Sequence, residues 1–221
     1  PNSYSNAYNN EGFFFRGMYN YASKYFGSVS FRRDASSRFS TDYRWGNFWS
    51  IGGAWIISKE NFFHADWVNS LKIKASLGSQ GNDKIGNYLY ADSYRVINND
   101  NEAAYQWRQK GAKDITWETN TNLNIGTEFE LFNKRLSGSI DYFNRTTTDM
   151  LFSLNTPPSI GYTSYYLNLG DMRNRGVELV LNANLINKKD FQWDVNFNIT
   201  HVKNKVLSLP NDIKTTSVEG Y

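Results

Sequence analysis

The sequence predicts an all-β chain, an antiparallel sheet of about eight strands cut from a transmembrane β-barrel. Three observations carry that expectation. Apolar and polar residues alternate over long runs, most cleanly in FQWDVNFNIT at 191–200, which is the period of a strand with two unlike faces. Aromatics make up 17% of the chain, with 16 Gly and only 4 Pro, a balance that favours extended strands and tight turns over helices. The connecting segments also alternate between short and long, as the turns and loops of an outer-membrane barrel do.

Taken in order, strands are expected at about 12 to 22 and 24 to 34, joined tightly through Ala22 to Lys24. A longer segment from Asp34 to Arg44 leads to a strand over 44 to 57, and Ser58 to Asn69 leads to one over 70 to 79. Gln80 to Thr116 reads as a very long loop. Strands follow at 117 to 132 and 134 to 147 around a turn at Asn133-Lys134, then a long loop from Thr148 to Leu169. The last two strands, 170 to 186 and 190 to 206, meet at Asn187-Lys188-Lys189-Asp190, which is turn chemistry.

Register follows from keeping each face of one kind. The Asn133-Lys134 turn pairs Leu131 with Leu136, Phe129 with Gly138, Thr127 with Ile140 and Ile125 with Tyr142, leaving Glu128, Glu130, Ser137, Ser139 and Asp141 behind. In the last hairpin the expected pairs are Leu185 with Phe191, Ala183 with Trp193, Leu181 with Val195, Leu179 with Phe197 and Val177 with Ile199, with Glu178 opposite Asn198. The apolar face collects Tyr21, Tyr25, Trp45, Trp49, Trp55, Tyr142 and Trp193, rings whose polar atom suits a lipid–water boundary. A soluble β-sandwich or large soluble barrel, with the same residues as an ordinary core, also fits the alternation.

Composition removes other classes. The chain has no cysteine, so no disulfide framework or thiolate metal site exists. A net charge of +3, with basic residues scattered, gives no electrostatic footprint for nucleic acid. No apolar run approaches the ~20 residues of a membrane helix, and nothing resembles a signal peptide. The chain starts at Pro1 without an initiator Met and stops at Tyr221 on no structural signal, so it reads as a fragment. Eight strands would leave two open edges unless they close into a small barrel, which remains an alternative.

Glu128, Glu130 and Asp141 share a hairpin face and resemble paired carboxylates, but lining the lumen of a transporter explains them better than acid–base chemistry. Glu178, Asp194 and Asn196 fall on the same polar, lumen-facing side, whereas Phe129, Tyr142, Leu181, Trp193, Val195 and Phe197 fall on the lipid-facing side. His64 sits in a turn with Phe62, Phe63 and Trp67, and His201 near a strand end, with no metal-ligand spacing between them. Asn98-Asn99-Asp100-Asn101-Glu102 lacks the spacing and central Gly of a calcium loop and reads as a solvated loop. The long loops carry Tyr88, Tyr90, Tyr94, Tyr105 and Trp107, then Tyr162, Tyr165 and Tyr166, rings able to stack on a ligand, meet a lid protein or hold the loop together. Two glycosylation patterns, at Asn144 and Asn198, lie in expected strands and are set aside. No nucleophile motif, phosphate loop, metal cluster or cofactor site is present, so no enzyme is expected.

Several segments resemble the SusC/RagA family of TonB-dependent transporters. The most specific are FRRDASSRF at 31–39 and RWGNFWSIGGAWIISKENFF at 44–63. LKIKASLGSQGN at 71–82, ITWETNTNLNIGTEF at 115–129, NKRLSGSIDYFNRTTTDML at 133–151, NLGDMRNRGVELVLNANLI at 168–186 and FQWDVNFNITHVKNKV at 191–206 follow in the family's order. The resemblance implies part of a plugged barrel of the 22-stranded type, with residues 1–221 as a partial barrel domain whose plug and remaining strands lie elsewhere. It further implies import of oligosaccharide, or else oligopeptide, across the outer membrane of a Gram-negative, Bacteroidetes-like cell. A SusD-like surface lipoprotein would be the lid, and the TonB complex the energy source. A surface adhesin or a passive porin-like barrel is the competing reading.

Overall fold

The structure is a computed structural model that describes residues 6–99, 102–162 and 164–209. Asp100 and Asn101 of the Asn98–Glu102 run lie outside the described residues. In chain order the strands are β1 (Asn10–Tyr21), β2 (Tyr25–Ser36), β3 (Trp45–Ile56), β4 (Val68–Asn82), β5 (Ser93–Asn99), β6 (Glu102–Gln109), β7 (Glu118–Leu131), β8 (Leu136–Thr148), β9 (Leu151–Asn155), β10 (Ser164–Asn168), β11 (Asp171–Lys188) and β12 (Phe191–Ser208). Eight of them form one antiparallel sheet in the order β1-β2-β3-β4-β7-β8-β11-β12. All eight were legible from alternation.

The sheet does not close on itself: β1 and β12 are its ends, which sets aside a self-contained eight-stranded barrel. The β7–β8 hairpin has the register expected of it, with Phe129 opposite Gly138 and Ile125 opposite Tyr142. Its turn places Phe132, Asn133 and Lys134 at φ of 54°, 56° and 65°, a left-handed run to which Asn is best suited. The amide of Lys134 is held by the Asn69 side chain at 3.0 Å.

The β11–β12 register corrects the sequence reading by two residues. Leu181 lies opposite Phe197, Leu179 opposite Ile199, Ala183 opposite Val195 and Glu178 opposite Thr200. The cause is a tighter turn, with Lys188 already paired to Phe191, together with a bulge between Asn184 and Ile186 that leaves Leu185 without a partner and seats Ile186 opposite Trp193. Up to the bulge the shift is two, which preserves the period, so Val177 to Ala183 keep their face; beyond it Ile186 and Lys188 move onto the side of Trp193 and Phe191.

The two long loops are also not structureless. β5 and β6 pair into a hairpin, and β9 pairs with β10. The connections β1–β2, β3–β4, β7–β8 and β11–β12, with the short 3₁₀ turn at Ile57–Lys59, lie at one end of the sheet, and β2–β3, β4–β7 and β8–β11 at the other.

One sheet face runs Tyr25, Val29, Phe31 on β2, Trp49, Ile51, Trp55 on β3, Leu71, Ile73, Leu77 on β4, and on through Ile125, Phe129, Ile140, Val177, Leu181, Val195 and Phe197. Among the described residues nothing covers it: Ile51 is 56% exposed, Ile140 49% and Phe197 50%. The accessible surface is 16134 Å², against about 10,400 Å² for a compact monomer of this mass. The buried apolar cluster, Phe39, Phe48, Ala112, Ile115 and Trp117, sits at the loop end rather than beneath the sheet.

Candidate functional site

The polar face of the sheet is an organised charge ladder. Lys72 and Lys74 of β4 donate to Glu128 of β7 at 3.0 and 2.9 Å, and Lys74 also lies 3.0 Å from Asp141 of β8. Glu130 has Lys134 at 3.9 Å. The carboxylates that looked like a dyad in the sequence are therefore neutralised one by one by lysines. Those lysines alternate with Leu71, Ile73 and Ala75, a signal that was available in LKIKAS but not connected to the neighbouring strand. Glu178 registers opposite Asp141, and Asp194 accepts from Asn184 at 2.7 Å. Asn196 lies opposite Asn182.

Hydroxyls and amides also line this face. Ser30 and Ser50 share a bond of 2.6 Å, Arg145 donates to Asn122 at 2.7 Å, and Asn204 donates to Asn174 at 2.6 Å. A concavity of about 800 Å³ opens against Met18, Phe26, Ala54, Lys74, Asp141 and Phe143. Small residues make that space: a Cβ on Gly126 would come 2.0 Å from an Asp141 carboxylate oxygen.

At the turn end, Glu60 gathers three donors from separate elements. The Tyr25 hydroxyl reaches it at 2.5 Å, the Trp55 indole at 3.0 Å and the Lys24 ammonium at 3.1 Å. Those bonds, Tyr25's first and then Trp55's and Lys24's, hold its carboxyl at a pKa of about 2, well below the ordinary 4.5. The same corner stacks Tyr19, Tyr21, Tyr25 and Trp55 with ring centroids 6.2 to 6.5 Å apart. His64 approaches only the Phe62 carbonyl, at 3.1 Å, and His201 lies opposite Val177 on the apolar face.

At the loop end, the buried cluster is a platform that sequence reasoning missed, because its members come from β3 and two irregular segments with no period to read. Trp117 packs against Phe39 and Phe48 with centroids 5.4 and 5.3 Å away, and its indole donates to the Arg44 carbonyl at 2.8 Å. The Asn168 side chain ties the two long loops together, accepting from the Thr116 amide at 2.7 Å and donating to the Thr116 and Asp149 carbonyls at 2.9 and 2.8 Å.

The eight loop aromatics divide by this platform. Tyr90 and Tyr166 pack against the buried cluster and so hold the loops together. Tyr88 bonds the backbone of Ala7 through its hydroxyl, both contacts 3.3 Å. Tyr94, Trp107, Tyr162 and Tyr165 instead form a continuous ring chain, with centroids 4.7, 6.2 and 6.1 Å apart, and Lys110 lies 5.2 Å over Trp107. This chain joins the β5–β6 hairpin to the segment before β10. Tyr105, 77% exposed, and Val96, 66% exposed, pair at the outer part of the same hairpin face.

Among the described residues the sheet is open, eight-stranded and exposed on its apolar side. Residues 1–219 match the family model described as TonB dependent receptor-like, beta-barrel. The chain belongs to the TonB-dependent receptor β-barrel family. A TonB-dependent receptor of Formosa agariphila is 37% identical over 88% of this chain and 19% of its own length. The TonB-dependent receptor SusC of Bacteroides thetaiotaomicron is 34% identical over 89% of this chain and 21% of its own. The RagAB peptide transporter superposes with a TM-score of 0.88 at 30% identity, over 96% of this chain and 24% of that one. The chain thus spans about a fifth of the length of its curated relatives. The TonB-dependent receptor family comprises outer-membrane β-barrels that act as receptors and transporters, and the SusC/RagA resemblance is thereby confirmed.

Proposed function

We propose that this chain supplies wall and outer loops to a TonB-driven importer of oligosaccharides in the outer membrane of a Gram-negative, Bacteroidetes-like cell. The observation that carries this is the division of one continuous sheet into an uncovered apolar face and an ion-paired, amide-rich face. In water the first would be an aggregation surface; wrapped in hydrocarbon it is the ordinary exterior of a barrel. On this reading Phe129, Tyr142, Leu181, Trp193, Val195 and Phe197 face lipid. Glu128, Glu130, Asp141, Glu178, Asp194 and Asn196 face the lumen, and residues 1–221 are a partial barrel domain.

The loop end is the cell exterior. Tyr94, Trp107, Tyr162 and Tyr165 offer ring faces to a sugar, while Tyr105 and Val96 offer an apolar tip to a SusD-like lipoprotein lid. TonB would act through sequence beyond this chain, and no cofactor takes part. Oligopeptide is the second reading, favoured by the likeness to the RagAB peptide transporter.

The test is growth of a deletion strain on single oligosaccharides and on peptide mixtures, with the gene restored in wild-type form or carrying Trp107→Ala and Tyr162→Ala. Loss of growth on one glycan class, rescued by the wild type and poorly by the double variant, supports the reading. Growth unaffected on every glycan and lost on peptides selects the second.

A further inference from the structure

The apolar face carries a group of cations that the import function does not use. Arg173 and Arg175 of β11 share their face with Val177, Leu179 and Leu181, and Lys205 and Lys203 of β12 sit directly opposite them. On the other side of β11 the partners at these two positions are Thr146 and Asn144, which are neutral. Among the described residues none of the four cations takes part in a salt bridge, and the carboxylate at the start of β11, Asp171, accepts from the Ser208 hydroxyl at 2.9 Å instead.

Like charges placed directly opposite in a sheet repel and weaken the pairing. Two consecutive cation–cation pairs are therefore a cost that an anion would remove. The four side chains already converge, enclosing a cleft of about 130 Å³, the liquid volume of roughly four waters and space for a phosphoryl group. Immediately below them Val177 lies opposite His201, and the face then turns apolar, with Leu179 opposite Ile199 and Leu181 opposite Phe197 in successive rows. The cations lie at the loop end of this band, at the height where lipid headgroups meet hydrocarbon.

We propose that Arg173, Arg175, Lys203 and Lys205 bind the phosphate-bearing headgroup of an outer-leaflet lipid whose acyl chains lie along the aliphatic rows of β11 and β12. Arg supplies forked donors to phosphate oxygens and Lys a compact charge. The apolar rows distinguish such a lipid from a free phosphate, because they reward acyl chains that a free ion lacks. This inference rests on the reading that the face is in lipid.

The experiment uses the complete transporter, purified in mild detergent, with native mass spectrometry as readout. The probes are diphosphorylated lipid A, the same lipid stripped of both phosphates, and inorganic phosphate. Each basic residue at an anionic lipid surface strengthens attraction about five-fold. Replacing all four (Arg173→Gln, Arg175→Gln, Lys203→Gln, Lys205→Gln) is expected to weaken retention of the phosphorylated lipid about 100-fold or more, while the wild type holds the stripped lipid as poorly as the variant does. Inorganic phosphate is expected to displace little. Equal retention of the two lipids by the wild type overturns the inference, and needs no variant to fold. Displacement by inorganic phosphate overturns it in favour of a free-anion site.

A parallel measurement separates the two readings. Quenching by lipid-borne nitroxide at Phe197→Cys but not Asn198→Cys keeps the face in lipid, so that loss of phosphate preference then sinks only this inference. Equal quenching at both sinks the lipid-facing reading itself.

Discussion

Leu181→Arg is the perturbation that bears hardest on the lipid-facing reading. Leu181 is flanked on its face by Gly138 of β8 and Phe197 of β12. Its row lies four residues from Val177 and five from Ile186. With about 3.3 Å per residue and a tilt of about 40°, the span from Val177 to Ile186 covers roughly 20 to 23 Å along the membrane normal. Leu181 is then about 10 Å from either end, near the midplane. An arginine there on a lipid-facing strand costs about 2 to 4 kcal/mol, and near the interface about 0 to 1 kcal/mol. Unfolding the complete barrel from lipid vesicles with guanidinium should show Leu181→Arg lowering the folding equilibrium roughly 30- to 1000-fold, Val177→Arg much less, and Asn182→Arg on the polar face least. A buried core in a soluble two-layered domain would penalise Leu181→Arg without such a gradient. Equal costs at Leu181 and Val177, or at Leu181 and Asn182, would refute the reasoning.

Other consequences are open to measurement. Gly138→Ala should destabilise by about 1 to 3 kcal/mol, since its Cβ would meet the Val180 carbonyl oxygen at 2.2 Å; Gly27→Ala, with open space around it, is the control in the same denaturation assay. Glu60 is depressed, so its contribution is present above pH 4.5 and is lost as pH falls towards about 2; Glu60→Gln should remove that pH dependence from an acid titration of stability. Asn168→Ala strips three bonds joining the long loops and should raise hydrogen exchange at Thr116 and across β9–β10 without altering the main sheet. Tyr105→Ala should leave the thermal midpoint within experimental error, since the ring is 77% exposed, yet weaken capture of the proposed SusD-like lid in a pull-down between purified components.

The main sheet was legible because a strand with one apolar and one polar face writes its period directly into the sequence. Phe191, Trp193, Val195 and Phe197 could be assigned to one face with no knowledge of their partners. Register was a different matter. In the β7–β8 hairpin it followed from the faces, but in β11–β12 a bulge beside Leu185 and a shorter turn moved the partners of Val195, Phe197 and Ile199 by two residues, which alternation cannot register because it preserves the faces, and those of Phe191 and Trp193 by three. The loop platform was illegible for a further reason: Phe39, Phe48, Ile115 and Trp117 come together from three segments, and their spacing follows no single element. The loop hairpin was within reach, since Tyr94 and Val96 alternate before the Asn98-Asn99 run and Tyr105 and Trp107 after it.

The treatment of charge separates the two faces as clearly as apolarity does. On the polar face Lys72 and Lys74 neutralise Glu128 and Asp141 at 2.9 to 3.0 Å, pairs half open to water that add little stability each. What they change is the field along the wall: with these carboxylates matched, this stretch presents Ser28, Ser30, Ser50, Ser76, Asn120, Asn122 and Asn124 as hydroxyl and amide partners. Such a stretch exchanges hydrogen bonds with a hydroxyl-rich solute, as the oligosaccharide cargo proposed above requires. On the apolar face the reverse obtains, with four cations stacked and, among the described residues, in no salt bridge. A wall that lets cargo pass needs its charges satisfied internally, whereas a surface that retains a phosphorylated lipid needs them left open. The two faces share one sheet: Asp141 of β8, paired with Lys74, lies to one side and Arg175 of β11 to the other.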